Sequence, residues 1–250
     1  MISARGLCKR FGKNTALDDV TVAIAAGERV GFLGRNGAGK STLLRVLAGF
    51  ISPEQGECTI DGIDVCRQPS RAQRLLGFLP EGAPAYPEMR ALDYLRMRAQ
   101  LKGQSRTDAA ADAEARLAEV GLSDRSSSPV QTLSKGMRQR LGLADALLGD
   151  PRVIILDEPT SGLDPAQLRD LTARVSELAS DRALILASHR LDAVENLCSR
   201  LVVLDRGRVV FDGAADELAK AAEPANLEAA FLALTEGERS PPDAATGEEE

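Results

Sequence analysis

The sequence predicts an α/β fold whose core is a parallel sheet with helices on both faces, and three observations carry that prediction. A short apolar run, Arg29-Val30-Gly31-Phe32-Leu33, leads into the glycine-rich segment Gly34-Arg35-Asn36-Gly37-Ala38-Gly39-Lys40-Ser41, and a helical pattern begins at Thr42. A second apolar run, Val153-Ile154-Ile155-Leu156, ends in the acid pair Asp157-Glu158. From there strands and helices alternate as far as residue 204. That alternation builds parallel sheets, whose strands are buried on both faces and therefore read as continuous apolar runs.

The elements follow in order. The first stretch alternates apolar and polar residues, as in Val20-Thr21-Val22-Ala23-Ile24, which predicts antiparallel strands around the strand at 29–33. Thr42–Ala48 reads as a helix ended by Gly49. Glu57-Cys58-Thr59-Ile60 followed by Asp61-Gly62 reads as a strand and turn, and Leu76-Gly77-Phe78-Leu79 as a short strand stopped by Pro80. From Leu92 to about Leu148 the pattern is helical, broken at Gly121 and at Ser126-Ser127-Ser128-Pro129. This stretch is read as an insertion. The helix over 167–178 has a well-marked start, with Asp164 placed to cap it and Pro165 at its first position. Leu184–Ala187 and Leu201–Leu204 read as strands. In 227–234, Leu227, Ala230, Phe231 and Leu234 share one helical face, expected to pack on the parent domain. Residues 236–250 hold Pro, Gly and acids with no apolar period and are expected to be disordered.

At 250 residues the chain can bury a full core as one domain, or one domain with a subdomain. No apolar run is long enough to cross a bilayer, and Met1-Ile2-Ser3-Ala4-Arg5 lacks a secretory signal. The expected location is the cytoplasm, with any membrane association made through a partner. Cys8, Cys58, Cys66 and Cys198 have no metal-site spacing and are expected to be reduced and mostly buried. The net charge of −6 is concentrated in 236–250, which carries −5. The remainder is nearly neutral and lacks Trp, so a nucleic-acid partner is not expected.

Chemistry concentrates in the two glycine- and acid-bearing motifs. Gly34–Ser41 fits G-x-x-x-x-G-K-[ST], a loop whose backbone N–H groups cradle a triphosphate. Gly34, Gly37 and Gly39 supply the backbone freedom, and Arg35, Asn36, Ala38 and Thr42 complete the ATP-binding segment. Lys40 reaches the β- and γ-phosphates, and the Ser41 hydroxyl is placed to ligate Mg²⁺. Asp157 is placed to hold the same Mg²⁺. Glu158, one residue later and facing the other side, is the candidate to polarise the attacking water.

Between these motifs lies Leu133-Ser134-Lys135-Gly136-Met137-Arg138-Gln139-Arg140. Here the chain resembles the ATP-binding subunits of ABC transporters, in the expected motif order over residues 1 to about 220. The stretch is similar to their signature motif, commonly L-S-G-G-Q: Ser134 and Gly136 match, while Lys135 and Met137 depart. On physical grounds alone, Ser134 and the N–H groups near Gly136 open a helix and can donate to an anion. The resemblance implies that this anion is the γ-phosphate of ATP held by a second copy, contacted by Ser134, Lys135 and Gly136.

The resemblance also implies a P-loop NTPase fold with a RecA-like parallel core, an N-terminal antiparallel β subdomain and an inserted helical subdomain. Its expected boundaries are an ATPase domain over 1–235, made of a core with β subdomain (1–81 and 150–220), a helical subdomain (82–149) and a C-terminal helical segment (221–235), then the acidic tail 236–250. Ser161-Gly162-Leu163-Asp164 resembles the loop that crosses the dimer interface. His189, the only histidine, resembles the switch residue that bonds the γ-phosphate and orients Glu158 and water. Phe11 sits where an aromatic stacks on adenine, the alternative being a core phenylalanine. Glu81 stands where many members carry a glutamine near Mg²⁺ and the membrane partner.

Leu79-Pro80-Glu81, Tyr86-Pro87-Glu88-Met89 and the 134–140 stretch look like the branch that pairs with ABC-2 type permeases, mostly exporters. The implied activity is hydrolysis of Mg-ATP by a homodimer that drives a permease gripped beside 82–102, on the cytoplasmic face of the membrane. Two alternatives stand beside it. One is an ATPase of this type acting on a non-membrane protein; the other is a nucleotide sensor without turnover, which the presence of Glu158 and His189 argues against.

Overall fold

The computed structural model describes residues 1–179, 181–220 and 226–236. The chain opens with a hairpin of β1 (Ile2–Phe11) and β2 (Asn14–Ile24), followed by β3 (Arg29–Leu33) and α1 (Lys40–Leu47). Next come β4 (Gln55–Ile60), β5 (Ile63–Asp64), α2 (Pro69–Gln73) and β6 (Leu76–Leu79). Three helices follow: α3 (Ala91–Leu101), α4 (Arg106–Glu119) and α5 (Lys135–Leu147). The chain then runs through β7 (Val153–Asp157), α6 (Pro165–Leu178), β8 (Ala183–Ala187) and α7 (Leu191–Leu197). Last come β9 (Arg200–Asp205), β10 (Arg208–Ala214), α8 (Ala215–Lys220) and α9 (Leu227–Glu236).

The strands form two sheets. One has the order β10-β9-β3-β8-β7-β6 and is parallel apart from β10, which pairs antiparallel with β9 at the edge. The other is antiparallel, in the order β2-β1-β4-β5. The N-terminal strands form the separate antiparallel sheet that the family resemblance implied, and do not flank β3 as their alternation beside it had suggested. Their alternating burial suits a sheet with one covered face. Val30–Leu33 of β3 is buried throughout and needs cover on both faces.

That need explains the layering. Val153 and Ile155 of β7 face a core shared with Leu43, Leu44 and Leu47 of α1 and with Leu7, Leu17 and Ile60 of the antiparallel sheet. Helix α1 thus lies between the two sheets. Ile154 and Leu156, on the opposite face, join Leu95 of α3, Leu117 of α4, Leu143 of α5 and Leu171 of α6. The period of two along β7 sorts its side chains between the two cores.

The helical stretch is three helices, with an additional break at Gly103, where φ is +97°. Start signals are side-chain caps: Ser105 accepts from Asp108 N–H, Ser134 from Met137 N–H, and Asp164 from Ala166 and Gln167 N–H. Strand β10 had no sequence expectation; it is half covered, with no continuous apolar run to mark it. In α9, Leu227 and Ala230 are buried and Phe231 packs beside them, but Leu234 is 37% exposed. The shared face does not extend to Leu234; in that turn Thr235 is the buried residue instead. Cys58 and Cys198 are buried, Cys8 is half-buried and Cys66 exposed, so the expectation of mostly buried thiols holds for two of the four, and all are free. Beyond Glu236 the acidic tail lies outside the described residues. Among the described residues, no helix is long and apolar enough to cross a membrane.

Candidate active site

The order β3-β8-β7-β6 places four parallel strands side by side, and their carboxyl ends supply the site. After β3 comes the loop 34–39, and after β8 come Ser188 and His189. At the end of β7 stand Asp157 and Glu158, and beyond β6 is Glu81. In an open α/β sheet this edge is where ligands bind. The result is a cleft of about 480 Å³ lined by Phe11, Asn14, the loop 35–42, Glu81, Glu158 and His189.

The loop is held by its glycines. Gly39 has φ +107°, and a Cβ there would stand 2.4 Å from the Ala16 carbonyl oxygen, so no other residue fits. Gly39 is also the cap of α1, offers no side-chain acceptor, and is followed by a first turn without an acid. The helix N-terminus is therefore left for an anion. Lys40 is only 7% exposed, and its Nζ donates to the carbonyls of Gly34 at 2.6 Å and Arg35 at 3.3 Å. Burial lowers its pKa, while the charges of Glu158, Asp157 and Glu81 oppose that shift.

Ser41 Oγ donates to Asp157 Oδ1 at 3.2 Å. Asp157 is almost fully buried, and that burial raises its pKa against the Ser41 hydrogen bond. These are hard oxygen donors side by side, which suits Mg²⁺. Among the described residues no group of three acids, histidines or cysteines could hold a metal alone. A cation here would complete its shell with phosphate oxygens and water, as Mg²⁺ does in nucleotide sites.

Glu158 has φ +49°, a left-handed conformation uncommon for a residue with a side chain, and its N–H donates to the Ala187 carbonyl at 2.9 Å. Such backbone persists where surrounding contacts fix it. The turn sends Glu158 to the cleft while Asp157 stays against Ser41. Glu158 Oε2 lies 2.9 Å from His189 Nδ1 and accepts from Ser188 Oγ at 3.3 Å. Ser188 Oγ in turn accepts from Arg190 N–H at 3.0 Å. Ser188 and Asn14 were not picked out from sequence as site residues. A hydroxyl between the β8 terminus and His189, and an asparagine at the Phe11 turn, were the available signals.

Phe11 is 53% exposed at the rim, which excludes the core alternative, and Lys9 Nζ lies 5.5 Å from its ring centroid. Ser134, Lys135 and Gly136 do not line the cleft, and neither does the loop Ser161–Asp164. One chain thus gathers the phosphate loop, both acids and the histidine, and leaves the start of α5 outside. A larger groove of about 690 Å³ lies between the core and the helical layer, with Phe50, Tyr86 and Leu101 exposed along it. Its floor carries Asp145, bonded by Arg98 Nε at 3.0 Å and Tyr94 OH at 2.9 Å.

A glycine loop at the head of a helix, with a buried Asp-Glu pair two strands away on the same sheet edge, defines a P-loop nucleotide hydrolase. Residues 17–161 match the family model described as ABC transporter. The chain belongs to the ABC transporter family as an ATP-binding subunit, and by class it is an ATP hydrolase. It is 35% identical over 219 residues to the ABC transporter ATP-binding protein NatA of Bacillus subtilis, covering 87% of this chain and 89% of the relative. It is 34% identical over 219 residues to the Nod factor export ATP-binding protein I of Ralstonia nicotianae, covering 87% of this chain and 68% of the relative. A solved ATP-binding subunit of an ABC transporter superposes with TM-score 0.83 at 30% identity, covering 94% of this chain and 99% of its own.

Proposed function

We propose that two copies of this chain close head-to-tail around two Mg-ATP and drive an ABC-2 type membrane permease in export. The observation that carries the reading is the split site: the cleft gathers the phosphate loop, Glu158 and His189, and the capped start of α5 lies outside it. A two-fold axis brings the Ser134–Gly136 segment of one copy over the nucleotide of the other. Phe11 stacks on adenine. The loop 34–42 wraps the phosphates, and Lys40 leaves its two loop carbonyls for the β- and γ-phosphates. Ser41 and Asp157 would hold Mg²⁺, with Glu81 on the same edge of the cleft, and the ion would neutralise charge on the phosphates. Glu158 accepts a proton from the attacking water, and His189, bonded to it through Nδ1, fixes its orientation and contacts the γ-phosphate. Ser161–Asp164 form the contact between copies. ATP favours the closed pair because its phosphates touch both copies, and losing the γ-phosphate opens it.

The groove beside α3 supports the permease reading, since it exposes aromatic and aliphatic side chains next to the 82–102 segment. The similarity to a Nod factor export subunit supports export. The test is Glu158→Gln, followed by light scattering on a sizing column. The expected outcome is ATP binding, loss of turnover and an ATP-dependent dimer. A variant that hydrolyses at the parent rate, or that binds ATP and stays monomeric, refutes the reading.

A further inference from the structure

Glu158 is held twice by the end of β8. Its backbone N–H donates to the Ala187 carbonyl at 2.9 Å. Its carboxylate meets the next residue along, where Ser188 Oγ donates to Glu158 Oε2 at 3.3 Å. Ser188 is fully buried, and its own N–H donates to the Phe32 carbonyl of β3 at 3.2 Å. The hydroxyl thus projects from backbone that is tied to the neighbouring strand. Ser188 itself does not line the nucleotide cleft, whereas Glu158 does.

The direction of that hydroxyl is set from behind. Arg190 N–H donates to Ser188 Oγ at 3.0 Å, which occupies a lone pair and turns the hydroxyl proton toward the carboxylate. An ionised carboxylate only accepts, so His189 Nδ1, 2.9 Å from the same Oε2, presents a proton to it as well. Both donors fall on one oxygen, and Oε1 takes neither bond. The two anchors differ in firmness. The His189 side chain is 55% exposed and free to turn toward solvent, while the buried serine has nowhere else to go.

We propose that Ser188 is a positioning residue for ATP hydrolysis: its hydroxyl, aimed by the Arg190 N–H, pins Oε2 of Glu158 and leaves Oε1 as the oxygen that takes the proton of the attacking water. This assignment rests on Glu158 being the base, and adds which of its atoms acts and which buried group holds it. In the step itself the water oxygen bonds the γ-phosphorus as the bond to the β–γ bridging oxygen breaks. The leaving electron pair stays on the diphosphate, and the water proton goes to Oε1. A base acts only when its acceptor atom is held within hydrogen-bond reach of the reacting group. Loss of the pin therefore slows the step while leaving every contact to the nucleotide in place.

The test separates rate from binding in the full-length protein, by single-turnover phosphate release and by equilibrium ATP titration, with melting temperature as the fold check. Ser188→Ala is expected to slow the step about tenfold, the low end for a hydrogen bond to a charged group because the contact is 3.3 Å, with ATP affinity within about twofold of the parent. Ser188→Cys keeps the shape, weakens the donor, is expected to be slowed likewise, and takes the place of Ser188→Ala if that protein does not fold. Ser188→Thr keeps a hydroxyl and is expected to recover most of the loss. Added to Glu158→Gln, Ser188→Ala is expected to change the residual rate by no more than about twofold, since the carboxylate it positions is gone. A parent rate in Ser188→Ala overturns the proposal. So does a full further loss on top of Glu158→Gln, an ATP affinity that falls in step with the rate, or a folded Ser188→Thr as slow as Ser188→Ala. Parent turnover in Glu158→Gln refutes the base reading and the role of Ser188 together. An inactive Glu158→Gln beside a fully active Ser188→Ala refutes the role of Ser188 alone.

Discussion

The Glu158–His189 contact gives the sharpest prediction, because 2.9 Å between Oε2 and Nδ1 makes the two side chains one unit. Glu158→Gln keeps the shape of a side chain that is only 7% exposed and removes the proton acceptor. General-base catalysis contributes about 10²- to 10⁴-fold, or ~3–5 kcal/mol of barrier at ~1.4 kcal/mol per decade. If His189 acts by orienting Glu158, His189→Ala loses part of the same factor and has little left to remove once Glu158 is gone. The double variant is then expected within about twofold of Glu158→Gln, a coupling energy above ~1 kcal/mol. The assay is single-turnover phosphate release at saturating ATP, with each variant's melting temperature as the fold check. Losses that multiply across the double variant refute the coupling. Parent turnover in Glu158→Gln refutes the base assignment outright.

Lys40→Ala leaves Asp157, Glu158 and Glu81 without the buried cation whose charge they support against burial. The expected loss of ATP affinity is about ten- to a hundredfold, read by calorimetry; unchanged affinity contradicts the role of the loop. Burial pushes the Cys58 and Cys198 thiols up to about 12, so the folded chain keeps protons that the unfolded chain releases near pH 9. Their stabilisation is full below about pH 9 and falls by ~1.4 kcal/mol per thiol for each pH unit between 9 and 12. Lys102, pushed down to about 8 by burial, works in the opposite direction from pH 8 up to its ordinary value of 10.5, and so offsets one thiol between pH 9 and 10.5. Denaturant melts from pH 9 to 11 are expected to show the loss, removed or reversed in a Cys58→Val, Cys198→Val double variant; equal slopes in both proteins refute it.

What the sequence made legible had strong local causes. Fully buried strands announce themselves as unbroken apolar runs, and β3, β7 and β8 stand within a residue or two of their expected spans. Capping also reads locally: Asp164 bonds two N–H groups and Pro165 sits at the first turn, as the pattern required. Pairing between distant strands did not read. Nothing in Val20–Ile24 says that β2 pairs with β1 in a separate sheet rather than beside β3, because alternation fixes one covered face and leaves the partner open. Edge strand β10 escaped because it is half covered and carries no continuous apolar run. Within the cleft, the phosphate loop and the acid pair are contiguous motifs and were visible. Ser188 and Asn14 depend on where β8 and the β1–β2 turn end up in space, which no short window encodes.

The two surfaces that the proposed assembly brings together are electrostatically incomplete in opposite ways. In the cleft, Asp157, Glu158 and Glu81 surround one lysine whose pKa burial lowers against their charges, and these acids together invite a divalent cation. At the start of α5, the helix dipole, Lys135 and Arg138 form a basic surplus that invites an anion. In the proposed assembly Mg-ATP would supply both signs, its metal to the acids and its γ-phosphate to the other copy. Hydrolysis leaves the metal side satisfied by diphosphate and removes the charge that faced α5. The proposed closed pair would then hold desolvated cations lacking a partner, which costs more than exposing them to water. Opening therefore follows from charge placement without requiring stored mechanical strain, and the ATP-driven dimer is expected to weaken with rising ionic strength, since its bridging contacts are largely ionic. A dimer affinity indifferent to salt between about one and three tenths molar, a range over which the Debye length falls appreciably, would place the closing force in apolar contact instead.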